Sequence, residues 1–279
     1  MANTIISPTI FAKEVIRNRD QKNVFYTYTN STFTGDLKKA GDTVTVQTLP
    51  TLSFVTGGTA GAAITATDFT ITSENLVIDQ VAQLNVTLKD IEKVQSNLSL
   101  EEKVAERFAE AEGRLFDTVV RDQVLVTQVA DIPAANKLDS GLPITLTKDN
   151  AYQVILNLTE ALDNQNVGEG KRVAFVSPGF ANLLKQSGFL DASDLGLQTR
   201  FKGFIGMVDG VKIVKTTALT ASKEVIMMEE GAINMVVQLN QYDVRKAVDG
   251  FYENLLAEVI YGLKIFGENA KAIAIQYIA

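Results

Sequence analysis

The 279-residue chain contains no cysteine and no histidine. Without cysteine there is no disulfide framework, no thiolate nucleophile and no zinc–sulfur site. Without histidine, the commonest general base and the commonest transition-metal ligand are both missing. Carboxylates, lysine and serine remain, so these absences argue against an enzyme without closing every route to chemistry. A third absence is local: from Gly41 to Leu88 there is no lysine or arginine. A fourth concerns hydrophobic runs, none of which approaches the roughly 18 consecutive apolar residues of a membrane-crossing helix. Lys13, Glu14, Arg17 and Arg19 occupy the region where a secretion signal keeps its apolar core. The chain is therefore expected to be made and kept in a cytoplasm. Asn30-Ser31-Thr32, Asn85-Val86-Thr87 and Asn157-Leu158-Thr159 match the glycosylation tripeptide, and without an export signal they read as chance.

What is present suits a packed protein. With 46% hydrophobic and 21% charged residues, the chain can form one large domain or two intimately joined ones. The 26 basic and 33 acidic residues leave a net charge of −7. Such a surface has no general attraction to phosphate, so contact with nucleic acid is expected to be weak and non-specific.

Residues 1–40 run against this balance, with six basic residues (Lys13, Arg17, Arg19, Lys22, Lys38, Lys39) and three acidic ones (Glu14, Asp20, Asp36). Their apolar residues keep no sustained period. A short helix around Pro8–Arg19 fits, with the rest extended. The segment reads either as a strand wrapping its own surface or as an arm docking on a neighbour. Next, Thr43–Leu49 and Phe69–Thr72 alternate with period two and are rich in β-branched residues, as half-exposed strands are. Gly57-Gly58-Thr59-Ala60-Gly61-Ala62-Ala63 lies between them as a small-residue tip. A two-stranded ribbon of this kind is marginal alone, and its open edges invite another chain.

Residues 81–98 read as a strand and an acidic turn. Ser99 and Glu102 then form a capping box. Val104, Phe108, Ala111, Leu115 and Val119 recur at helical spacing, predicting a helix to about Val126 with one apolar stripe. Glu110 with Arg114, and Asp117 with Arg121, stand four apart with the acid first. After Pro133 and Pro143 an alternating α/β texture begins. The pattern predicts a helix over Asn150–Asn164, a buried strand over Arg172–Val176, and a helix over about Gly179–Ser187 opened by Ser177-Pro178. A tight hairpin is expected at Asp209-Gly210, and a further pair of strands (Lys223–Glu229, Ala232–Leu239) around Glu230-Gly231. In the last thirty residues helix and strand patterns overlap, and strand is the reading preferred.

Candidate chemistry fails motif by motif. Gly168-Glu169-Gly170-Lys171 lacks the glycine a P-loop needs at Gln165 and the hydroxyl residue at Arg172; the dinucleotide fingerprint fails at Val173. Ser177 sits at a strand-to-helix junction, but a nucleophile elbow needs glycine where Phe175 stands, and no triad forms without histidine. The stretch from Asp191 departs from a calcium loop at Leu195 and Lys202. Glu101, Glu102, Glu106 and Glu110 read as a solvated helix face. No catalytic, cofactor-binding or metal residue is assigned.

Taken in order, these segments resemble the major capsid proteins of tailed bacteriophages with the Hong Kong 97-like fold, in the branch using a separate scaffolding protein. The resemblance is carried by Leu76-Val77-Ile78-Asp79-Gln80, by Asp90-Ile91-Glu92-Lys93-Val94-Gln95-Ser96 before the long helix, by Phe204–Val214, and by Tyr261-Gly262-Leu263-Lys264-Ile265-Phe266-Gly267. It implies an α+β fold divided into an N-arm (1–40), an E-loop hairpin (41–80), a peripheral domain with its spine helix (81–130), an axial domain (131–245) and closing peripheral strands (246–279). It implies self-assembly into hexamers and pentamers of an icosahedral shell around double-stranded DNA, in the virion, assembled in a bacterial cytoplasm. The implied partners are a scaffolding protein, a portal and decoration proteins, with no cofactor and no membrane. Ile10 and Phe11 of the arm and Phe54, Val55, Gly57, Gly58 and Phe69 of the ribbon are the expected interface residues. Some members weld subunits through an E-loop lysine; Lys38 and Lys39 lie just outside 41–88, so a shell without covalent cross-links is expected. The chain begins with the arm, so a separate scaffold is expected. An encapsulin-type nanocompartment shell is the alternative within this fold. A carboxylate-based hydrolase or a sugar-binding module over 131–245 is the alternative outside it.

Overall fold

The structure is a computed structural model that describes residues 24–32, 43–48, 71–89, 100–187, 204–219, 224–246 and 250–279. Alternating threonine and valine form β1 (Thr43–Thr48), which pairs antiparallel with β2 (Thr72–Val77), Thr43 opposite Val77 and Thr48 opposite Thr72. The return strand thus runs past the predicted stretch to Val77. Leu49, Phe69 and Thr70 lie outside the described residues, as do the turn at 90–98 and Ser99 of the capping box. β3 (Gln80–Lys89) follows β2 after two residues.

The long helix α1 (Leu100–Asp122) continues into a π-turn at Gln123–Thr127, close to the span expected. Its buried face differs. Ala109, Phe116, Val120 and Val124 are fully buried. Of the predicted stripe only Phe108 is buried; Val104, Leu115 and Val119 are half-buried and Ala111 is exposed. The helix is rotated about one position because Glu112 and Asp117, which sequence pattern assigns to solvent, are turned inward and buried. The predicted Asp117–Arg121 pair is replaced accordingly: Arg121 bonds Asp122 and the Ala218 carbonyl. Glu110 accepts from Arg107, one turn earlier, instead of Arg114.

The α/β half forms largely as its patterns predict. α2 (Ala151–Asp163) buries Ala151, Ile155, Leu158 and Leu162. β4 (Arg172–Val176) is buried along its whole length. Ser177 Oγ accepts the Phe180 N–H at 3.2 Å, opening α3 (Pro178–Gln186). β5 (Phe204–Val208) and β6 (Val211–Lys215) are joined by Asp209 and Gly210, whose φ values of 51° and 73° suit a tight hairpin turn. β7 (Val225–Glu229), β8 (Asn234–Lys246), β9 (Tyr252–Lys264), the short α4 (Gly267–Ala270) and β10 (Ile273–Gln276) complete the chain.

The larger sheet has the order β10-β7-β4-β6-β5, with β4 and β6 parallel and the other pairs antiparallel. A second sheet has the order β3-β9-β8. The segments on either side of Glu230-Gly231 are both strands, yet they are not partners: β7 lies in the first sheet and β8 in the second. A pattern of period two marks a strand but not its neighbour. The C-terminal segment is also divided, β9 in the three-stranded sheet and β10 beside β7.

Parity along the strands builds two cores. Ala174, Val176, Ile213 and Met227 pack under α2 and α3. Val173, Phe175, Ile226 and Met228 point the other way, onto the end of α1, Phe25 and the Met235, Val237, Val259 and Tyr261 side chains of the second sheet. One continuous core therefore joins the two sheets.

Candidate subunit interface

Two described segments at the edge of this body are firmly anchored to it. The first is residues 24–30. Asp117 Oδ1 accepts the backbone N–H groups of Val24 at 3.2 Å and of Phe25 at 2.8 Å. Phe25 is fully buried and stacks on Phe175 with ring centroids 4.1 Å apart. Asn30 then bridges to the start of β8, donating to the Ile233 carbonyl at 2.8 Å and accepting from Met235 N–H at 3.0 Å. These contacts tie residues 24–30 across the junction of the two sheets.

The second is the β1–β2 ribbon. Among the described residues β1 pairs only with β2, and the two form a sheet of their own. Leu76 and Ile78 are fully buried with Val236, Ile260 and Phe266, and Val44 and Val46 pack against this cluster. Glu74 Oε1 accepts the Gly267 N–H at 2.9 Å, and Lys264 Nζ stands 3.8 Å from its other oxygen. Beyond these anchors the strands carry exposed backbone edges and short polar side chains, so the ribbon lacks a partner for its edges within the described chain.

Solved structures share this fold. A structure from Mycobacterium phage Che8 matches at 23% identity with a TM-score of 0.69, covering 91% of each chain. The capsid structure of cyanophage P-SCSP1u matches at 15% identity and TM-score 0.65, over 93% of this chain and 89% of that one. A virus-like particle from Pyrococcus furiosus matches at 15% identity and TM-score 0.61, over 98% of this chain and all of the other (100%). The chain has the Hong Kong 97-like capsid fold. No protein-family model matches the sequence, and no curated protein does either.

The surface of this capsid fold adds apolar features at three places. The three-stranded sheet leaves β3 as an edge, with Val81 and Leu84 exposed. Between β3 and α1 lies an open groove of about 200 Å³, lined by Leu84, Phe108, Ala111, Leu115 and Val259. Phe108, Ala111 and Leu115 of the helical stripe seen in the sequence thus line this groove. Glu112 also borders it, accepting from the Tyr242 hydroxyl at 2.8 Å. At the far end of the β8–β9 hairpin, Phe251 is 87% exposed. Nearby, the Arg245 guanidinium bonded to the Asp243 carboxylate holds that carboxyl below its usual range.

The seven interface residues expected from sequence, Ile10, Phe11, Phe54, Val55, Gly57, Gly58 and Phe69, lie outside the described residues. What the structure adds is the anchoring of residues 24–30 and of the β1–β2 strands, which adjoin those residues in sequence. Phe25 and Glu74 were not singled out by sequence pattern, Asp117 was expected only as a partner of Arg121, and Gly262 and Gly267 stood only within the family stretch. An acid within an amphipathic helix reads as solvated, and a glycine within a strand carries no sign of what crosses it. Among the described residues no group of three or more acidic side chains is placed to hold a metal.

Proposed function

We propose that the chain is the major capsid protein of a tailed bacteriophage, assembling into an icosahedral shell around double-stranded DNA. The observation that carries this reading is the ribbon: a rooted, open-edged β1–β2 pair whose free edges have no partner in the described chain, on a fold shared with phage capsid structures. In this reading 41–80 is the E-loop and 1–40 the N-arm. α1 is the spine helix, forming the peripheral domain with the three-stranded sheet. The five-stranded sheet with α2 and α3 is the axial domain.

The ribbon lies across a neighbouring copy. Charge supports this, because Lys103, Arg107 and Arg114 are exposed along α1 while 41–88 carries no base. Shell stability then comes from many modest interfaces repeated by symmetry. The net charge of −7 suits a wall that does not hold its packaged polymer tightly at any point. Assembly takes place in the bacterial cytoplasm with a separate scaffolding protein. A portal and decoration proteins complete the particle, and no covalent cross-links form.

Electron microscopy of the expressed protein, alone and with its neighbouring genes, tests the proposal. Shells, tubes or ring-shaped capsomers are expected. Only small monodisperse species under every condition would overturn it. Nucleic acid inside isolated particles supports the virion reading, whereas a protein cargo against the inner wall would move the assignment to a nanocompartment.

A further inference from the structure

We infer that Gly262, together with the Glu74–Gly267 hydrogen bond beside it, sets the angle at which the β1–β2 ribbon leaves the body and so acts as a positioning residue for assembly. The inference rests on the shell reading above and names a determinant within it.

Gly262 lies in β9, opposite Val236 of β8, and is buried. The chain ends β2 at Val77 and begins β3 at Gln80, which faces Tyr261. Between them it crosses β9 at Gly262. A Cβ at this position would stand 2.4 Å from the Val77 carbonyl oxygen and 3.1 Å from Ile78 Cα. The obstacle is backbone, which cannot swing aside as a flexible side chain can. The absence of a side chain at 262 is therefore what lets the root of the ribbon rest directly on the sheet.

A second point of contact lies three residues earlier. Glu74 Oε1 receives the Gly267 N–H at 2.9 Å, and a Cβ at 267 would meet the same oxygen at 3.0 Å. Val77 and Glu74 are separated by about 10 Å along the strand at its usual rise. Relieving the Gly262 clash requires a lift of about 1 Å at one of these points to reach ordinary contact. The ribbon then tilts by about 6°, from the ratio of that lift to the separation of the two points along the strand. The displacement grows in proportion to distance from the root, so it is largest where the ribbon would meet its neighbour. The lift also moves the backbone of Leu76 and Ile78, whose side chains are fully buried, so melting reports how far the subunit's own core absorbs it.

Gly262→Ala and Glu74→Ala, each compared with the wild-type chain, test the inference. Circular dichroism and thermal melting report on the subunit, and electron microscopy reports on particle diameter and shape. A merely structural role for Gly262 changes melting while leaving the diameter alone. The expected result is a folded subunit that loses the single-diameter population, giving mixed sizes, open sheets or tubes, more severely for Gly262→Ala. Wild-type diameters from a folded Gly262→Ala overturn the fulcrum, and wild-type diameters from Glu74→Ala overturn the clamp. Should Gly262→Ala fail to fold, Glu74→Ala alone decides. If the wild-type chain itself forms no assembly, it is the shell reading that fails.

Discussion

The carboxylate of Asp117 holds the backbone N–H of Phe25 at 2.8 Å, joining the C-terminal part of the long helix to the N-terminal segment. The same oxygen takes the Val24 N–H, and the residue is nearly buried. A charged acceptor serving buried donors contributes about 2 kcal/mol. Asp117→Ala should lower unfolding stability by about that amount in urea titrations. It should also speed trypsin cleavage after Arg17, Arg19 and Lys22 by loosening the root of their segment. Asp117→Asn keeps an acceptor oxygen and should recover most of the loss. Unchanged stability and unchanged cleavage in the alanine variant would remove Asp117 from this role.

Arg172 gives a second prediction, based on unequal burial of an ion pair. Its side chain is 1% exposed and bonds the carbonyls of Gly168, Thr159 and Val167, while its partner Asp163 at 2.6 Å is 47% exposed. Removing the arginine strands three acceptors between α2 and β4; removing the aspartate deletes a contact already shared with water. Arg172→Ala should therefore cost about 3 kcal/mol. Asp163→Ala should cost less than about 1 kcal/mol. Equal losses from the two variants in chemical denaturation would contradict this division.

Such side chains mark where sequence reading stops. Strands β4 and β6, helix α2 and the Ser177 cap were legible because their signals are local: a period, a capping residue, a turn pair. The ribbon was legible for the same reason, through alternation at 43–48 and a base-free composition. Sheet membership was not, because the Glu230-Gly231 turn sends β7 and β8 to different sheets and no local period records that. The buried face of α1 was misplaced by one position because Glu112 and Asp117 are satisfied by Tyr242, Val24 and Phe25, partners remote in sequence. Gly262 was quoted only for the family it resembles; its physical role depends on the Val77 carbonyl 185 residues earlier, seen only once the chain is folded.

Three tyrosines supply a pH prediction. Burial raises the phenol pKa of Tyr28, Tyr261 and Tyr277 above the ordinary value of 10.0, with nearby acids adding to the shift (Glu230, Asp79 and Glu224 respectively) and Lys212 opposing it at Tyr28. The folded state therefore prefers the neutral phenol more strongly than the unfolded state does. Their contribution to stability is fully present below pH 10.0 and is lost as pH rises through the higher folded values. With no tryptophan in the chain, absorbance near 295 nm reports tyrosinate directly. The signal from Tyr28, Tyr261 and Tyr277 should appear as a steep late phase that coincides with unfolding. Complete ionisation near pH 10.0 with the fold intact would refute the assignment.

The last prediction concerns how the proposed shell would be held. Welding one subunit to another through a ribbon amine requires a lysine on the ribbon, and 41–88 has none. The described ribbon strands present threonine, valine, glutamine, serine, glutamate, asparagine and leucine, none of them an amine nucleophile. Lys264, at the root, is held near Glu74 on the body side of the anchor and does not travel with the ribbon tip. Cohesion must then come from side-chain packing, strand edges and charge, all of which detergent and heat dissolve. Particles boiled in detergent should therefore run as one band at 30.3 kDa. A ladder of multiples would show a covalent bond made by a lysine elsewhere, and would transfer the welding role from the ribbon to the arm, where Lys38 and Lys39 stand nearest.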